Sequence, residues 1–366
     1  MISIKKVSIS ELGELVLAPG YAQWEQIPIS RHRALSYINN PRCSPSDVVL
    51  YLAYLDGKLV GYRTILPDFI TRGNESVKVG WLSGNWVDPN LRRQGIATEL
   101  LQSAMPDWNN RLLFTNYAEE SKAVYDKSGS FARAFTLDGY RIYIRPCLAE
   151  VLSKKSRLFS AFKPLWQFSD ALFKIFNPVP LYLHSIGLGR GIQYEYLKIP
   201  DQEVAKLFKE ATNLTATQRG KAELRWILSY PWLVSSPAGD RMGQKYFFSS
   251  SPKRFESMLV KVFRDNRLVG FLMLNLNHRY ITTPYICCMD GEELYLARAI
   301  MHHALKLGAC RITTYHHLIG KRLKRLMPFG MLSLKQRRNY FTTNSLIEEF
   351  GDAMAFLEGD GDCAFV

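Results

Sequence analysis

No uninterrupted apolar run in this chain approaches the roughly 18 to 20 residues that a bilayer-spanning helix needs. The opening Met-Ile-Ser-Ile-Lys-Lys lacks the apolar core of a secretion signal. Cysteine is scarce: Cys43, Cys147, Cys287, Cys288, Cys310 and Cys363 are scattered over 366 residues, with no C-x-x-C spacing. That excludes a disulfide framework and fits a reduced, cytoplasmic setting. The pairs His302-His303 and His316-His317 have no cysteines at ligand spacing, so they read as ordinary helix and strand-end histidines, and no metal is expected. Acidic residues are also few, 33 Asp and Glu against 47 Lys and Arg, giving a net charge of +14. Such a chain suits anionic ligands. The densest basic run, Lys321, Arg322, Lys324, Arg325, Lys335, Arg337 and Arg338, contains no acid. It matches no nucleic-acid-binding signature and reads as a solvated face, so nucleic acid is not an expected partner.

The most informative stretch is Asn85-Trp-Val-Asp-Pro-Asn-Leu-Arg-Arg-Gln-Gly-Ile-Ala-Thr-Glu-Leu-Leu101. It reads as a strand end, a tight basic turn and the opening of an amphipathic helix. Gly95 and Ala97 leave no bulk over the first-turn amides, so backbone N–H groups can approach phosphate oxygens at the positive end of the helix dipole. Arg92 and Arg93 add charge beside them. Upstream, Val48 to Leu55 and Leu59 to Leu66 are strand-like and separated by the turn signal Asp56-Gly57-Lys58, hence a hairpin. Val77 to Val87 is the strand entering the basic turn. Ile96, Leu100, Leu101 and Ala104 continue the helix at core spacing to a stop near Pro106. A short strand, Arg111 to Thr115, and a helix, Glu119 to Lys127, follow, with Gly129 as its stop.

Arg92-x-x-Gly95-x-Ala97 after a hydrophobic strand resembles the acyl-CoA pyrophosphate loop of the GNAT acetyltransferase superfamily, and the order of elements around it is the order of that family. The segment Ala123-Val-Tyr125-Asp-Lys-Ser-Gly129-Ser130-Phe131 resembles the family's later motif, a helix with a Tyr ending in Gly-Phe, here with Ser130 inserted. The resemblance covers residues 1 to 145. It implies acetyl-CoA as co-substrate and direct transfer to an amine. Arg92, Arg93, Gln94, Gly95, Ile96, Ala97 and Thr98 would hold the pyrophosphate, the Val87 backbone N–H would polarise the acyl oxygen, and Tyr125 would protonate the departing thiolate. A phenol, with a reference pKa of about 10, is protonated at neutral pH and suits that task. Ser83, Asn85 and Trp86 stand where some relatives have a Glu, and Asp88, Glu119 and Glu120 are the nearest carboxylates, so the general base stays unassigned.

A second copy of the pattern follows. Asp56-Gly-Lys-Leu-Val-Gly-Tyr62 recurs as Asp265-Asn-Arg-Leu-Val-Gly-Phe271, and a helix ending at Pro41 has a counterpart ending at Pro231. After the second hairpin come a strand at Tyr280 to Cys288, a helix from Glu292 to Leu307 and a strand at Arg311 to Tyr315. The diphosphate loop is missing there: Met289-Asp290-Gly291-Glu292-Glu293 sets three carboxylates where phosphates would sit. The expected fold is α/β, an α+β mixed sheet in two tandem GNAT-like domains. Residues 1–145 would bind acetyl-CoA, residues 146–190 form a helical amphipathic linker, and residues 191–366 form a degenerate copy that walls the acceptor site. N-myristoyltransferase, mycothiol synthase and the Fem-type aminoacyl transferases have a similar layout.

The linker interleaves Leu158, Phe159, Phe162, Leu165, Trp166, Phe168, Leu172 and Phe173 with Lys154, Lys155, Arg157, Lys163 and Lys174. Packing between domains is the preferred reading, and a basic helix over residues 154–176 resting on an anionic membrane surface is the other. Arg225-Trp226, and the tail with Asp360 and Asp362, resemble segments of tandem acetyltransferases linked to bacterial surface polysaccharides. That makes Asn85, Arg225, Trp226, Asp360 and Asp362 acceptor candidates and an amino sugar the preferred small-molecule amine. A Fem-type transferase using charged tRNA and a non-catalytic CoA-binding sensor or scaffold are the alternatives.

Overall fold

A computed structural model describes residues 2–116, 119–152, 157–176, 184, 186–236, 241–248, 251–327, 332–351 and 354–365. They form two compact units that do not follow the halves of the sequence. Unit 1 is Met1–Leu137 with Lys198–Glu256 and Arg338–Val366; unit 2 is Asp138–Leu197 with Ser257–Arg337. Residues 198–256 and 338–366, expected in the second domain, therefore belong to unit 1.

In unit 1, β1 (Ile2–Ser8) pairs antiparallel with β2 (Val48–Leu55), β2 with β3 (Lys58–Arg72), and β3 with β4 (Glu75–Val87). At the β2–β3 turn, Asp56 and Gly57 take φ of 50° and 77°, the doubly left-handed conformation that suits Asp-Gly to a two-residue hairpin. Helices α1 (Ile9–Leu17) and α2 (Arg31–Ile38) lie between β1 and β2 in the chain; Ser8 and Glu11 form a capping box at the start of α1. Helix α3 (Ile96–Asp107) follows β4 and leads to β5 (Leu112–Thr115), parallel to β4, and then to α4 (Glu119–Ser128). Ile96, Leu100, Leu101 and Ala104 of α3 are buried with Tyr51, Ile65 and Leu82 of the sheet. Each large aliphatic side chain buried there contributes about 1.5–3 kcal/mol. Gly80 admits Trp108 so closely that an added Cβ would lie 2.8 Å from the indole, which fixes the end of α3 over β4.

Strand β6 (Phe131–Tyr143) carries the chain into unit 2, where β7 (Ile192–Leu197), β8 (Phe255–Arg264), β9 (Arg267–Asn277), β10 (Tyr280–Cys288) and β11 (Arg311–Thr314) stand in the order β6-β11-β10-β9-β8-β7. The repeat is visible in the pairings. β9–β10 is antiparallel and β10–β11 parallel, as β3–β4 and β4–β5 are. Asp265 and Asn266 take the same turn conformation, with φ of 50° and 61°. Met289 N donates to Val269 O at 2.9 Å just as Asp88 N donates to Val60 O. Glu292, at the degenerate loop, lies 3.7 Å from Arg264 and 3.6 Å from Arg267. Strand β12 (Leu332–Thr343) returns the chain to unit 1, where Tyr340, Phe341 and Thr342 pair antiparallel with β5.

The linker differs from the preferred reading. In the helix Lys163–Phe176, Leu165, Phe168 and Leu172 are exposed. Asp170, on the other side, accepts from Leu148 N at 2.9 Å and Ala149 N at 3.0 Å, which turns the apolar stripe outward. Residues 153–156 and 177–180, with Lys154, Lys155, Pro178 and Pro180, lie outside the described residues, as do the side chains of Arg157, Leu158, Phe173 and Lys174. Among the described residues no helix is long and apolar enough to cross a membrane.

The returning segments are held in unit 1 by one carboxylate. Asp68 of β3, 1% exposed, accepts from Arg219 Nη2 at 2.7 Å, Arg42 Nη1 at 2.8 Å and Trp81 Nε1 at 3.0 Å. Arg219 donates onward to Gly359 O and Gly361 O, and Arg42 to Thr217 O and Glu223 Oε1. Burial alone would raise the Asp68 carboxyl, but the Arg219 and Arg42 guanidiniums outweigh it and hold it below the usual range. Asp360, fully buried, accepts from Thr217 Oγ1 at 2.9 Å and Leu357 N at 2.7 Å; burial pushes it up to about 6 against the pull of Arg219.

Asp68→Asn should cost about 3–5 kcal/mol in urea denaturation, because two buried guanidiniums lose their counter-charge. A loss below about 1 kcal/mol would remove Asp68 from this role. The folded chain holds a proton on Asp360 that the unfolded chain releases between its ordinary pKa of 3.8 and about 6. Stability from this group is therefore fully present below the unfolded value and is lost as pH rises from 3.8 through about 6, by about 3 kcal/mol in all. Melting at pH 4.5 and 7.5 should show this drop in the parent chain and not in Asp360→Asn.

Candidate active site

Strand β4 ends at Val87, paired with Gly61, and Asp88 caps a short 3-10 turn, Pro89–Leu91, by accepting from Asn90 N at 3.0 Å. Arg93 and Gly95 then take φ of 66° and 87°. Gly95 stands at the N-cap of α3, where no side chain caps the helix, and nothing lies within 4 Å of where its Cβ would be. Its glycine is required by the backbone and leaves the space above the first turn open. Thr98 N and Glu99 N both donate to Gly95 O, at 2.9 and 3.0 Å. The amides of Ile96 and Ala97 precede the first intrahelical bonds and face outward at the positive end of the dipole. Arg92, Arg93 and Gln94 are exposed, and among the described residues neither arginine makes an ion pair. Ile96 is buried, its Cγ2 only 2.8 Å from where a Cβ on Gly61 would be.

Beside this turn the sheet opens. Among the described residues, β4 and β5 pair only at Gly80–Leu112 and Trp81–Leu113, so β4 from Leu82 to Val87 borders a wedge. In the same stretch β4 has one residue more than β3: Ile65 faces Leu82 and Arg63 faces Asn85, which places a bulge at Ser83-Gly84. Tyr125 of α4 packs between β5 and β3 on this sheet face. It is 7% exposed, stacks on Phe114 of β5 at 4.1 Å, and its Oη accepts from Arg63 Nη1 at 3.1 Å. Asn85, opposite Arg63, lies on the same sheet face as α3. The structure thus links these residues stepwise: Val87 pairs with Gly61 against Ile96 of the basic turn's helix, and Asn85 stands opposite the Arg63 that bonds Tyr125. Arg63 joins them without having been singled out in the sequence. A lone cation in the apolar strand Val60-Gly-Tyr-Arg-Thr-Ile-Leu66 was the available signal.

On the opposite sheet face, Arg33 of α2 donates to Tyr37 Oη, Tyr246 Oη and Thr64 Oγ1, each at 2.9 Å, with its guanidinium 4.0 Å from the Trp232 ring centre. Burial pushes the Tyr246 phenol up to about 12, so it stays protonated beside Arg33. Asp362 reaches this cluster from the tail: Ser83 Oγ of the bulge donates to its Oδ2, and its charge acts on Arg33, Tyr37 and Tyr246. Asp360, two residues earlier, is committed to the tail's own turn. Arg225 and Trp226 point apart. Arg225 is exposed, whereas Trp226 is 4% exposed, donates from Nε1 to Ser36 O at 2.7 Å and packs edge-on against Phe365. The side chains of Glu119 and Glu120 lie outside the described residues.

A cleft of about 590 Å³ opens near the same turn, lined by Trp24, Glu25, Tyr54, Lys58, Trp86 and Asp88. In unit 2, His303 bonds Ala299 O and Tyr196 Oη and is pushed down to about 4 by burial. His316 caps the helix His317–Arg325. Among the described residues no group of three or more His, Cys, Asp or Glu is placed to hold a metal.

No curated protein matches the sequence. Among solved structures, the chain is similar to a GCN5-related N-acetyltransferase from Kribbella flavida, at 10% identity over 93% of this chain and 70% of that one, TM-score 0.47. It is also similar to a putative acetyltransferase from Pyrococcus horikoshii, at 14% identity over 100% and 96%, TM-score 0.48. A tandem GNAT protein from the clavulanic acid biosynthesis pathway matches at 13% identity over 93% and 98%, TM-score 0.48. Residues 12–129 match the acetyltransferase (GNAT) family. The basic turn, strands β4 and β5 and Tyr125 all lie within the segment that matches this family.

Proposed function

We propose that the chain is an acyl-CoA-dependent N-acetyltransferase, moving an acetyl group from acetyl-CoA to an amine of a small molecule by direct attack in a ternary complex. The observation that carries this reading is the start of α3, a helix N-terminus over open space that no side chain among the described residues caps, with two arginines that no described acid pairs, inside the segment that matches the family. It provides backbone donors, dipole and positive charge for a diphosphate without a side chain in the way.

In this reading Arg92, Arg93, Gln94, Gly95, Ile96, Ala97 and Thr98 form the diphosphate seat, and the thioester arm enters the wedge along β4. The backbone N–H near Val87 polarises the acyl oxygen. The amine nitrogen attacks the thioester carbon, the carbon–sulfur bond breaks, and the Tyr125 hydroxyl gives its proton to the sulfur. Arg63, donating to Tyr125 Oη, turns the phenol's hydrogen away from itself and offsets charge as the proton leaves. Asp362, held by Ser83 at the bulge, is the tail carboxylate brought to β4, and we assign it to the acceptor amine and its proton. Tail and residues 198–256 then wall the acceptor side within unit 1. An amino sugar of surface polysaccharide synthesis is the acceptor class we favour; aromatic Trp24, Tyr54 and Trp86 in the adjoining cleft suit stacking on a sugar face.

Acetyl-CoA titrated calorimetrically should bind one-to-one. Gly95→Glu should abolish that binding, whereas Gly95→Ala, which shares the backbone strain of about 1–2 kcal/mol, should keep most of it. Unchanged affinity in Gly95→Glu would sink the assignment. Tyr125→Phe should slow transfer about 100-fold while CoA affinity stays within a few-fold. Equal turnover would make Tyr125 a packing residue and favour a CoA-binding scaffold.

A further inference from the structure

Arg63 has more hydrogen-bonding capacity than the proposed transfer uses. It is 1% exposed, and its Nη1 serves Tyr125, yet Nε and Nη2 have no hydrogen-bond partner among the described residues. These two are the side-on edge of the guanidinium, the pair of parallel N–H groups that receives a carboxylate bidentately. Asn85 stands directly opposite on β4, and its Oδ1 also has no partner, so its amide is not locked in either orientation. No acid among the described residues pairs with Arg63. Asp107, which lies on the same sheet face, is taken by Lys6 Nζ at 2.8 Å and Tyr51 Oη at 3.0 Å. The contrast with Arg42 and Arg219, both paired with Asp68, is plain.

A guanidinium keeps its charge when buried, and a buried charge without a counter-charge is costly. Apolar residues could have filled this place. A ligand that restores neutrality must be anionic, and the free edge fits a planar two-oxygen group. Arg63 borders the wedge between β4 and β5 beside Tyr125, where the reacting groups meet if the acyl-CoA reading holds, and the inference rests on that reading. We propose that Arg63, assisted by Asn85, is a carboxylate seat at the transfer site. One of the two substrates brings the carboxylate, either at the end of the acyl group or beside the acceptor amine.

Calorimetry on the full chain with CoA, acetyl-CoA, malonyl-CoA and succinyl-CoA separates the two sources. If the acyl group carries it, a dicarboxylic thioester binds about tenfold or more tighter than acetyl-CoA. Arg63→Met then erases that margin and leaves the affinity for CoA. If the acceptor carries it, the thioesters bind alike, and the acetyl-CoA-saturated chain acetylates amino acids such as L-lysine or L-tyrosine with a KM about tenfold or more below that of cadaverine or tyramine. Arg63→Met lowers kcat on both kinds of amine through Tyr125, and closes the KM gap between them. The wild-type ranking needs no variant, so it stands as a test even if Arg63→Met does not fold. No carboxylate preference in either arm, or a preference that Arg63→Met leaves intact, overturns the proposal. No binding of CoA or any thioester overturns the acyl-CoA reading first, and this inference with it.

Discussion

The pairing of Asp68 with Arg219 and Arg42 is the constraint on which unit 1 depends. A single buried carboxylate at the centre of β3 collects two guanidiniums and an indole N–H, and each guanidinium then holds backbone carbonyls from a distant part of the chain. Residues 215–220 and the tail turn at 359–361 are placed against β3 and β4 by these bonds. Gly361 permits the approach, since a Cβ there would lie 2.8 Å from Trp81. Hydrophobic contacts among Trp226, Trp232 and Phe365 add area, but they do not set register; the charged bonds do.

What the hub positions is the strand that the proposed chemistry uses. Among the described residues β4 is bulged at Ser83-Gly84, unpaired with β5 beyond Trp81, and followed by a helix that no side chain caps. The bulge gives the strand two differently equipped faces. One presents Arg63, Asn85 and Tyr125 beneath α3 and α4. The other presents Thr64, Arg33 and the Tyr37–Tyr246 pair, with Asp362 from the tail. In the proposed transfer both faces serve one reaction, with the substrates meeting where β4 parts from β5.

Local signals were legible. Asp56-Gly57 and Asp265-Asn266 fix doubly left-handed turns by their own conformational preferences, and the spacing of Ile96, Leu100, Leu101 and Ala104 gives α3 its buried face. Gly95 and Ala97 marked the open first turn because only backbone and space matter there. The return of residues 198–256 and 338–366 to unit 1 was not legible, since it depends on pairings of single charges such as Arg219–Asp68 and Arg42–Glu223, 151 and 181 residues apart in the chain. Trp226 illustrates the same limit: a Trp beside an Arg gives no indication of which one faces solvent. Arg63 and Asp68 share β3, five positions apart, and each reads as an isolated polar residue in an apolar strand. Only their surroundings separate the hub from the open seat.

The claim on which the account turns is that the first-turn amides of α3 hold a diphosphate. Hydrogen exchange of the full chain with and without CoA measures this at the residues concerned. The account predicts slowed exchange concentrated at residues 93–98 and along β4 to Val87, with the counterpart turn at 289–293 unchanged. CoA binding that protects other segments and leaves residues 93–98 exchanging freely would contradict it.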